Sequence, residues 1–431
     1  MSRRFFAAIA CLLALAWGAK GQTGTWSGTM SIQGTSLRIV FHLDAEPPCM
    51  DSPDQGVKGI PIQVEKSATG AVNIKIPSIG AAFEGQWTLH EILGTFKQMG
   101  VSLPLTLIPG EIRLRRPQTP RPPFPYTQEE VTFSGGDAVL KGTLVLPEGC
   151  SRSTPVLVMV TGSGLQNRDE EIFEHKPFAV FADALARKGI ATLRYDDRGF
   201  GESSGDFVNC TTEDLKADAL SGIRLLRERF DKVGVLGHSE GGTIALMLAA
   251  EGAAHFIVSL AGMVVSGAET LLAQNRLTLL GAGYPEDTVN SYCALLEKAF
   301  EALLQGTPLP MTDEYDLPAP LLQNYAGALM QLQSPYMKHF LSLDMRPLLG
   351  RIVCPVLAVN GTKDVQVDVT ANLEALRKGL PSHGNHCIEA VEGVNHLFQH
   401  CSSGAVTEYR ELEESFAPEV LDKIAKWIKS L

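Results

Sequence analysis

The chain has 431 residues, of which 45% are hydrophobic and 20% are charged, and its formal net charge is −11 at pH 7. This length allows two or three domains, and the composition is that of a globular protein with a sizeable core, not of a disordered or fibrous chain. The excess of acidic residues argues against nucleic acid or an anionic membrane as a partner.

The first 21 residues have the pattern of a signal peptide. Two arginines are followed by an uncharged apolar run over residues 5–17, and small residues at positions 19 and 21 mark a cleavage site. We therefore expect a mature chain that begins at Gln22 and lies in the periplasm or outside the cell. An N-terminal membrane anchor is the alternative. No later stretch is long enough to cross a bilayer, so no stable membrane span is expected after processing.

Seven cysteines remain after such processing, and their spacing matches no zinc pattern. An odd number rules out complete intramolecular pairing. Cys387 and Cys401 are the pair to test first, because the expected compartment permits disulfides; free buried thiols are the alternative. The sequence predicts neither a metal site nor a cofactor.

Short alternating runs of apolar and polar residues dominate the first part of the mature chain. Residues 37–44, 72–76 and 103–107 alternate with a period of two, which is typical of antiparallel strands with one buried face. Residues 22–115 are therefore predicted to form a small all-β domain, a barrel or a sandwich. The run PQTPRPPFP over 117–125 is stiff and extended, and it predicts a linker over 116–127.

From residue 128 to residue 431 the pattern alternates between strands and helices. A hairpin is expected over 130–146, and further strands over 155–160, 190–195, 233–237, 255–260 and 353–359. Helices are expected over 178–188, 211–229, 243–250 and 418–431. This order predicts a mostly parallel sheet with helices on both faces. The Leu-rich, helical stretch over about 262–350 is interpreted as a cap insertion, with ordinary helical decoration as the alternative.

Residues 232–242 read KVGVLGHSEGG and contain the pattern G-x-S-x-G around Ser239. An apolar strand precedes the motif and a helix follows it, which is the context of a nucleophile elbow, a tight turn that exposes the serine hydroxyl. The flanking glycines remove Cβ atoms that would clash in so tight a turn. Ser239 is therefore the candidate nucleophile.

A serine hydroxyl needs a base, and the base needs an acid that orients it. Asp364, in VLAVNGTKDVQV, follows the strand predicted at 353–359, and His396, in EGVNHLFQ, follows an expected last strand. Both residues therefore lie at carboxyl ends of strands, where the sites of α/β sheets assemble. Asp368 is an alternative acid. Alternative bases are His383, His386 and His400.

An oxyanion hole is expected between the serine turn and the loop TGSGLQNRDE, residues 161–170. The first donor is the backbone N–H of Glu240, and the second is that of Ser163, with Gly164 next. In the segment RYDDRGFGESSG, residues 194–205, we expect Asp197, Arg198 and Gly201 to brace neighbouring loops through charge-assisted hydrogen bonds.

Five segments in chain order, TGSGLQNRDE, LRYDDRGFGES, GHSEGG, NGTKD and GVNHLF, resemble the α/β-hydrolase superfamily. The sequence is more closely similar to bacterial esterases with a β-rich N-terminal extension, often labelled serine aminopeptidase-like hydrolases, over about residues 128–431. The segment MDSPDQGVKGIP resembles the extension of Bacteroidetes members. The resemblance implies an α/β-hydrolase fold and a Ser–Asp–His order along the chain. Many relatives have His where this chain has Thr161.

The resemblance and the motifs together predict a serine hydrolase that cleaves carboxylic esters through an acyl-enzyme. Its substrate would be a small-molecule or polysaccharide-linked ester. A serine peptidase with the same triad is the first alternative, with a charged subsite built from cap carboxylates such as Glu301 or Asp313. The second alternative is a glycan-binding or partner-binding protein that acts through its β domain.

Overall fold

The computed structural model describes residues 24–32, 35–55, 57–67, 69–88 and 90–431. The predicted signal peptide lies outside the described residues. The chain divides into two compact units, one of Met1–Arg115 with Ile172–Glu174, and one of Arg116–Glu171 with His175–Leu431.

The first unit is built from antiparallel strands in the order β4-β3-β2-β1-β9-β8-β7-β6-β5. Their bounds are β1 Thr25–Ile32, β2 Thr35–His42, β3 Cys49–Ser52, β4 Val57–Pro61, β5 Gln63–Lys66, β6 Ala71–Ile76, β7 Ala81–Trp87, β8 Ile92–Gln98 and β9 Val101–Pro109. Among the described residues of this unit, the only helical segments are two short 3-10 turns, Pro53–Gln55 and Pro77–Ile79.

This nine-stranded sheet curls around a single apolar core. On β6 the side chains alternate as the sequence predicts, and Val72, Ile74 and Ile76 are buried. The rings of Phe41 on β2 and Phe83 on β7 lie 5.9 Å apart between centroids. Those strands are four positions apart in the sheet, which in a flat sheet would separate them by about 19 Å. The predicted all-β fold is therefore confirmed, and its form is one strongly curved sheet.

The second unit contains an eight-stranded sheet in the order β10-β11-β13-β12-β14-β15-β16-β17. Its strands are β10 Thr127–Gly135, β11 Ala138–Leu146, β12 Val156–Val160, β13 Ala191–Tyr195, β14 Val233–His238, β15 Ile257–Leu260, β16 Val356–Gly361 and β17 Cys387–Val391. Its helices are α1 Pro177–Ala186, α2 Thr212–Arg227, α3 Glu240–Ala250, α4 Gly267–Gly281, α5 Glu286–Gln305, α6 Ala319–Leu332, α7 Pro335–Ser342, α8 Val369–Gly379 and α9 Pro418–Ser430.

Strands β12 to β17 of this sheet are parallel, while β11 is antiparallel to both β10 and β13. The central strands β12, β13, β14, β15 and β16 are buried along their whole length, because apolar clusters cover both faces of the sheet. This explains why they appear in the sequence as continuous apolar runs. Helix α8 was not among the elements predicted from the sequence.

Four helices, α4 to α7, lie between β15 and β16, where the cap insertion was predicted. They enclose an apolar cluster of their own around Val289, Leu295 and Phe300. Helix α7 also reaches the main core, since Phe340 belongs to the cluster on one face of the sheet. No helix among the described residues has the length and apolar character needed to cross a membrane.

Candidate active site

Ser239 lies in the turn between β14 and α3, with φ 53° and ψ −119°. A positive φ is uncommon for a residue with a side chain, and it persists only where the surroundings enforce it. A Cβ on Gly237 would lie 1.9 Å from the carbonyl oxygen of Gly241, and one on Gly241 would lie 2.1 Å from that of Val160. Both glycines of the motif are thus required by close backbone contacts, as expected for a nucleophile elbow.

His396 and Asp364 are brought together by the loops that follow the two last strands of the sheet. Nδ1 of His396 lies 2.8 Å from Oδ2 of Asp364, and both residues are buried. The other carboxylate oxygen of Asp364 accepts hydrogen bonds from the backbone N–H groups of Gln366 and Val367. We assign the proton to Nδ1 of His396, which leaves Nε2 as the acceptor nitrogen.

Three of the four competing residues, Asp368, His386 and His400, make other contacts. Asp368 caps helix α8, where its side chain accepts a hydrogen bond from the backbone N–H of Ala371 at 2.6 Å. His386 accepts a hydrogen bond from the N–H of Val356 through Nδ1. His400 is partly exposed and contacts two carboxylates, those of Glu414 and Glu419.

The loop after β12 passes directly beside the serine turn. A Cβ on Gly162 would lie 3.3 Å from Cβ of Ser239, so a side chain at this position would crowd the nucleophile. The backbone N–H of Gly162 donates to Oε1 of Glu170, whereas Ser163 and Gly164 lie on the exposed part of the loop. Ser163 and Gly164 were predicted from the sequence, but no sequence pattern indicated that Gly162 comes so close to Ser239.

A second histidine–carboxylate pair, which the sequence analysis also missed, lies beside the first. Nδ1 of His238 is 2.9 Å from Oε1 of Glu170, and Nε2 of His238 is 2.9 Å from the backbone oxygen of His396. The rings of His238 and His396 are 4.8 Å apart between centroids. Burial lowers the pKa of His238, but the charge of Glu170 and the hydrogen bonds outweigh burial and raise it.

The side chain of Glu240, directly after the nucleophile, is buried and hydrogen-bonded. Oε1 accepts from the hydroxyl of Thr212 at 2.6 Å, and Oε2 accepts from the hydroxyl of Tyr336 on cap helix α7. Burial raises the pKa of this carboxyl, against the opposing effect of its hydrogen bonds. Burial and the neighbouring Glu240 also raise the pKa of Tyr336.

Comparison with known proteins shows the family to which this fold belongs. A model of the alpha/beta hydrolase family matches residues 157–407. The chain belongs to the alpha/beta hydrolase family. The α/β-hydrolase fold predicted for this hydrolase is thereby confirmed.

This hydrolase is similar to proteins that are named as esterases or serine hydrolases. Esterase EstD of Thermotoga maritima is 29% identical over 311 residues, which cover 71% of this chain and 68% of that protein. The human serine hydrolase BPHL is 27% identical over 182 residues, which cover 42% of this chain and 55% of that protein. The solved structure of esterase Pf2001 of Pyrococcus furiosus aligns with a TM-score of 0.45 and 15% identity, covering 74% of this chain and 99% of that one.

The loops of this hydrolase are braced as the sequence predicts. Arg198 binds both carboxylate oxygens of Asp218 at 2.7 Å. Asp197 accepts hydrogen bonds from the hydroxyl of Thr161 and the backbone N–H of Gln166, both at 2.8 Å, and burial raises its pKa well above the usual value. Thr161 thus fixes the start of the loop that passes Ser239.

The residues that the structure describes contain no cluster of three His, Cys, Asp or Glu side chains arranged to hold a metal ion. Their seven cysteines are free thiols, including Cys387 and Cys401, the pair proposed from the sequence.

Proposed function

We propose that this hydrolase cleaves carboxylic esters with a triad of Ser239, His396 and Asp364. The observation that carries the proposal is the 2.8 Å contact between His396 and Asp364, in a loop whose backbone is bonded to His238, the residue before the strained Ser239. These contacts at the carboxyl edge of the parallel strands support the roles of nucleophile for Ser239, base for His396 and orienting acid for Asp364.

In the first half of the reaction, Oγ of Ser239 attacks the ester carbonyl while Nε2 of His396 takes the hydroxyl proton. The C–O bond to the alcohol then breaks, and the same proton passes to the departing alcohol, which leaves an acyl-enzyme. In the second half, water attacks the acyl carbon while His396 takes one of its protons. The bond between the acyl carbon and Oγ of Ser239 then breaks, His396 returns that proton to Oγ, and the acid leaves. Asp364 keeps the imidazole in the tautomer whose Nε2 accepts a proton.

The oxyanion that forms during each attack would be bound by backbone N–H groups. Glu240 supplies one, at the first residue of α3, where the helix dipole adds positive potential. Because the N–H of Gly162 is bonded to Glu170, the N–H of Ser163 is our choice for the second donor. The loss of one such donor typically costs about 3 kcal/mol of transition-state stabilisation.

Two observations favour esters over peptides with a free amino terminus. The name of EstD, the relative that matches 71% of this chain, is that of an esterase. The carboxylate nearest to the nucleophile in sequence, Glu240, is buried and bonded to the hydroxyl groups of Thr212 and Tyr336, so it is not presented to the ammonium group of a substrate. The cap carboxylates Glu301 and Asp313, suggested as a peptide subsite, are exposed.

The proposal is tested by labelling the protein with a fluorophosphonate and by assaying p-nitrophenyl acetate and butyrate against aminoacyl anilides. We expect one label per chain, turnover of the esters, and the loss of both in Ser239→Ala, with a fall in kcat of about 10⁶-fold. Ser163→Ala, which keeps the backbone donor, serves as the matched serine control and should still be labelled. Turnover of anilides without turnover of esters would refute the ester assignment.

A further inference from the structure

Glu170 and His238 connect three segments that the proposed triad needs. The N–H of Gly162, in the oxyanion loop, donates to Oε1 of Glu170 at 2.7 Å. The same oxygen lies 2.9 Å from Nδ1 of His238, the residue before Ser239, and Nε2 of His238 lies 2.9 Å from the carbonyl oxygen of His396. These partners lie 8, 68 and 158 residues apart in the chain.

The chemistry of the partner atoms decides which group donates and which accepts in each hydrogen bond. A carbonyl oxygen can only accept, so Nε2 of His238 carries a proton and donates to His396. Oε1 of Glu170 accepts a hydrogen bond from the N–H of Gly162. If Nδ1 of His238 also donates to Oε1, then each of the three contacts, to Gly162, to Glu170 and to His396, is a hydrogen bond between a donor and an acceptor. The pair is then an imidazolium and a carboxylate, in which charge strengthens the bonds. The raised pKa of His238 agrees with this protonation state.

The pair is buried, and most of the side chains around it are apolar. Both side chains are less than 10% exposed, and a small cavity beside them is lined by apolar groups: Pro177, Phe178, Phe181, Leu260, Leu397 and Phe416. The backbone of Glu170 has φ 52°, a left-handed conformation that is uncommon for a residue with a side chain. Such conformations persist where the surrounding structure enforces them, and they cluster at functional sites.

We propose that Glu170 and His238 are positioning residues that fix the oxyanion loop and the loop of His396 to the turn that carries Ser239. The inference rests on the triad proposed above. Neither residue bonds to the substrate or exchanges a proton with it. Their effect is geometric, because small displacements of a base or an oxyanion donor lower the rate of attack much more than they weaken substrate binding.

The test compares variants of the full chain with p-nitrophenyl butyrate, and refers every rate to active sites counted by stoichiometric fluorophosphonate labelling. Glu170→Gln keeps the size of the side chain and removes its charge, and His238→Leu removes both ring nitrogens. His238→Gln places an amide N–H where Nε2 was and is the conservative variant. Glu171→Gln is the matched control, because Glu171 neighbours Glu170 in the chain but contacts Lys176 and Asn167.

For Glu170→Gln and His238→Leu we expect kcat and the rate constant of phosphonylation to fall about 10-fold to 100-fold, because a displacement of about 1 Å in a catalytic group can cost about 100-fold in rate. KM should change little. His238→Gln should have a kcat between those of wild type and His238→Leu, and Glu171→Gln should match wild type. A thermal unfolding transition shows that each variant is folded; should His238→Leu fail to fold, Glu170→Gln decides the question.

Two results would overturn the inference while the triad stands: wild-type kcat in Glu170→Gln and His238→Leu, or an equal loss in Glu170→Gln and Glu171→Gln. In both cases Ser239→Ala would still abolish labelling. Labelling that persists in Ser239→Ala would overturn the proposed function, and with it the positioning role.

Discussion

At the scale of single residues, two aspartates four positions apart lie in very different environments. Asp364 holds the imidazole of His396, and Asp368 caps helix α8 through the N–H of Ala371. Both follow the same strand, β16, and both accept hydrogen bonds from backbone N–H groups. The two aspartates therefore differ in their partners: Asp364 contacts an imidazole, and Asp368 contacts the N-terminus of a helix.

This difference leads to a paired prediction. Asp364→Asn should lower kcat by about 10⁴-fold, because an amide at this position favours the wrong tautomer of His396. Asp368→Asn should leave kcat near that of wild type and change the free energy of unfolding by less than about 1 kcal/mol, since asparagine is an equally good helix cap. Steady-state kinetics and urea unfolding of both variants check this. Equal losses of kcat would show that Asp364 does not act through His396.

His175 is a buried histidine outside the proposed triad. Nε2 lies 2.9 Å from the carbonyl oxygen of Tyr409 and 3.1 Å from the amide nitrogen of Gln399, and Nδ1 lies 2.8 Å from the hydroxyl of Ser415, so both ring nitrogens have polar partners. Burial lowers its pKa to about 4. As pH falls below 6.5, the unfolded chain takes up a proton at this residue before the folded one does.

The folded state should therefore lose about 3 kcal/mol of stability between pH 6.5 and pH 4 from His175 alone, with the loss fully present below pH 4. His175→Gln should have a lower free energy of unfolding at pH 7, but this free energy should no longer show the loss due to His175 between pH 6.5 and pH 4. His400→Gln, which changes a partly exposed histidine, is the control and should keep it. Urea unfolding at several pH values measures both; parallel curves for wild type and His175→Gln would contradict the prediction.

At the scale of elements, the buried carboxylate of Glu240 links a cap helix to two helices of the core. Tyr336 on α7 donates to Glu240 on α3, and Thr212 at the start of α2 donates to the other oxygen of the same carboxylate. The side chain of Glu240, the residue after the nucleophile, thus joins helices α2, α3 and α7 through hydrogen bonds. A buried carboxyl that loses a hydrogen-bond donor bears the full cost of its desolvation.

Tyr336→Phe should accordingly reduce the free energy of unfolding by about 1–3 kcal/mol. Tyr325→Phe, in the neighbouring cap helix α6, is the matched control. Within the described residues the hydroxyl of Tyr325 is buried without a hydrogen-bond partner, so its removal should be neutral or stabilising. Urea unfolding of the two variants distinguishes these outcomes. An equal loss in both would mean that the tyrosine ring, and not the bond to Glu240, stabilises the cap.

At the scale of the whole molecule, export is a prediction that rests on the sequence pattern of residues 1–21. We propose that these residues are removed and that the mature protein begins at Gln22. N-terminal sequencing and intact mass of protein expressed in full in a bacterial host should give this terminus in the periplasmic or secreted fraction. A chain that keeps its first residues and remains with the membrane would favour the alternative, an N-terminal anchor.

Much of the architecture follows from local patterns. Alternation with a period of two predicts the β-rich first unit, because one face of each strand is buried, and continuous apolar runs predict the central parallel strands, because both faces are covered. The position of Ser239 follows from G-x-S-x-G between a strand and a helix, and the positions of Asp364 and His396 follow from the ends of strands. These features depend on residues within a few positions of each other.

Other features depend on residues that the chain brings together from far apart, and only the tertiary structure decided them. The sheet order places β13 between β11 and β12, and the first unit curls so that Phe41 meets Phe83. Glu170 meets His238 across 68 residues, and Tyr336 meets Glu240 across 96. A hydrogen bond needs its two groups within about 3 Å. No local pattern encodes such a distance, because it is set by how the strands and helices pack.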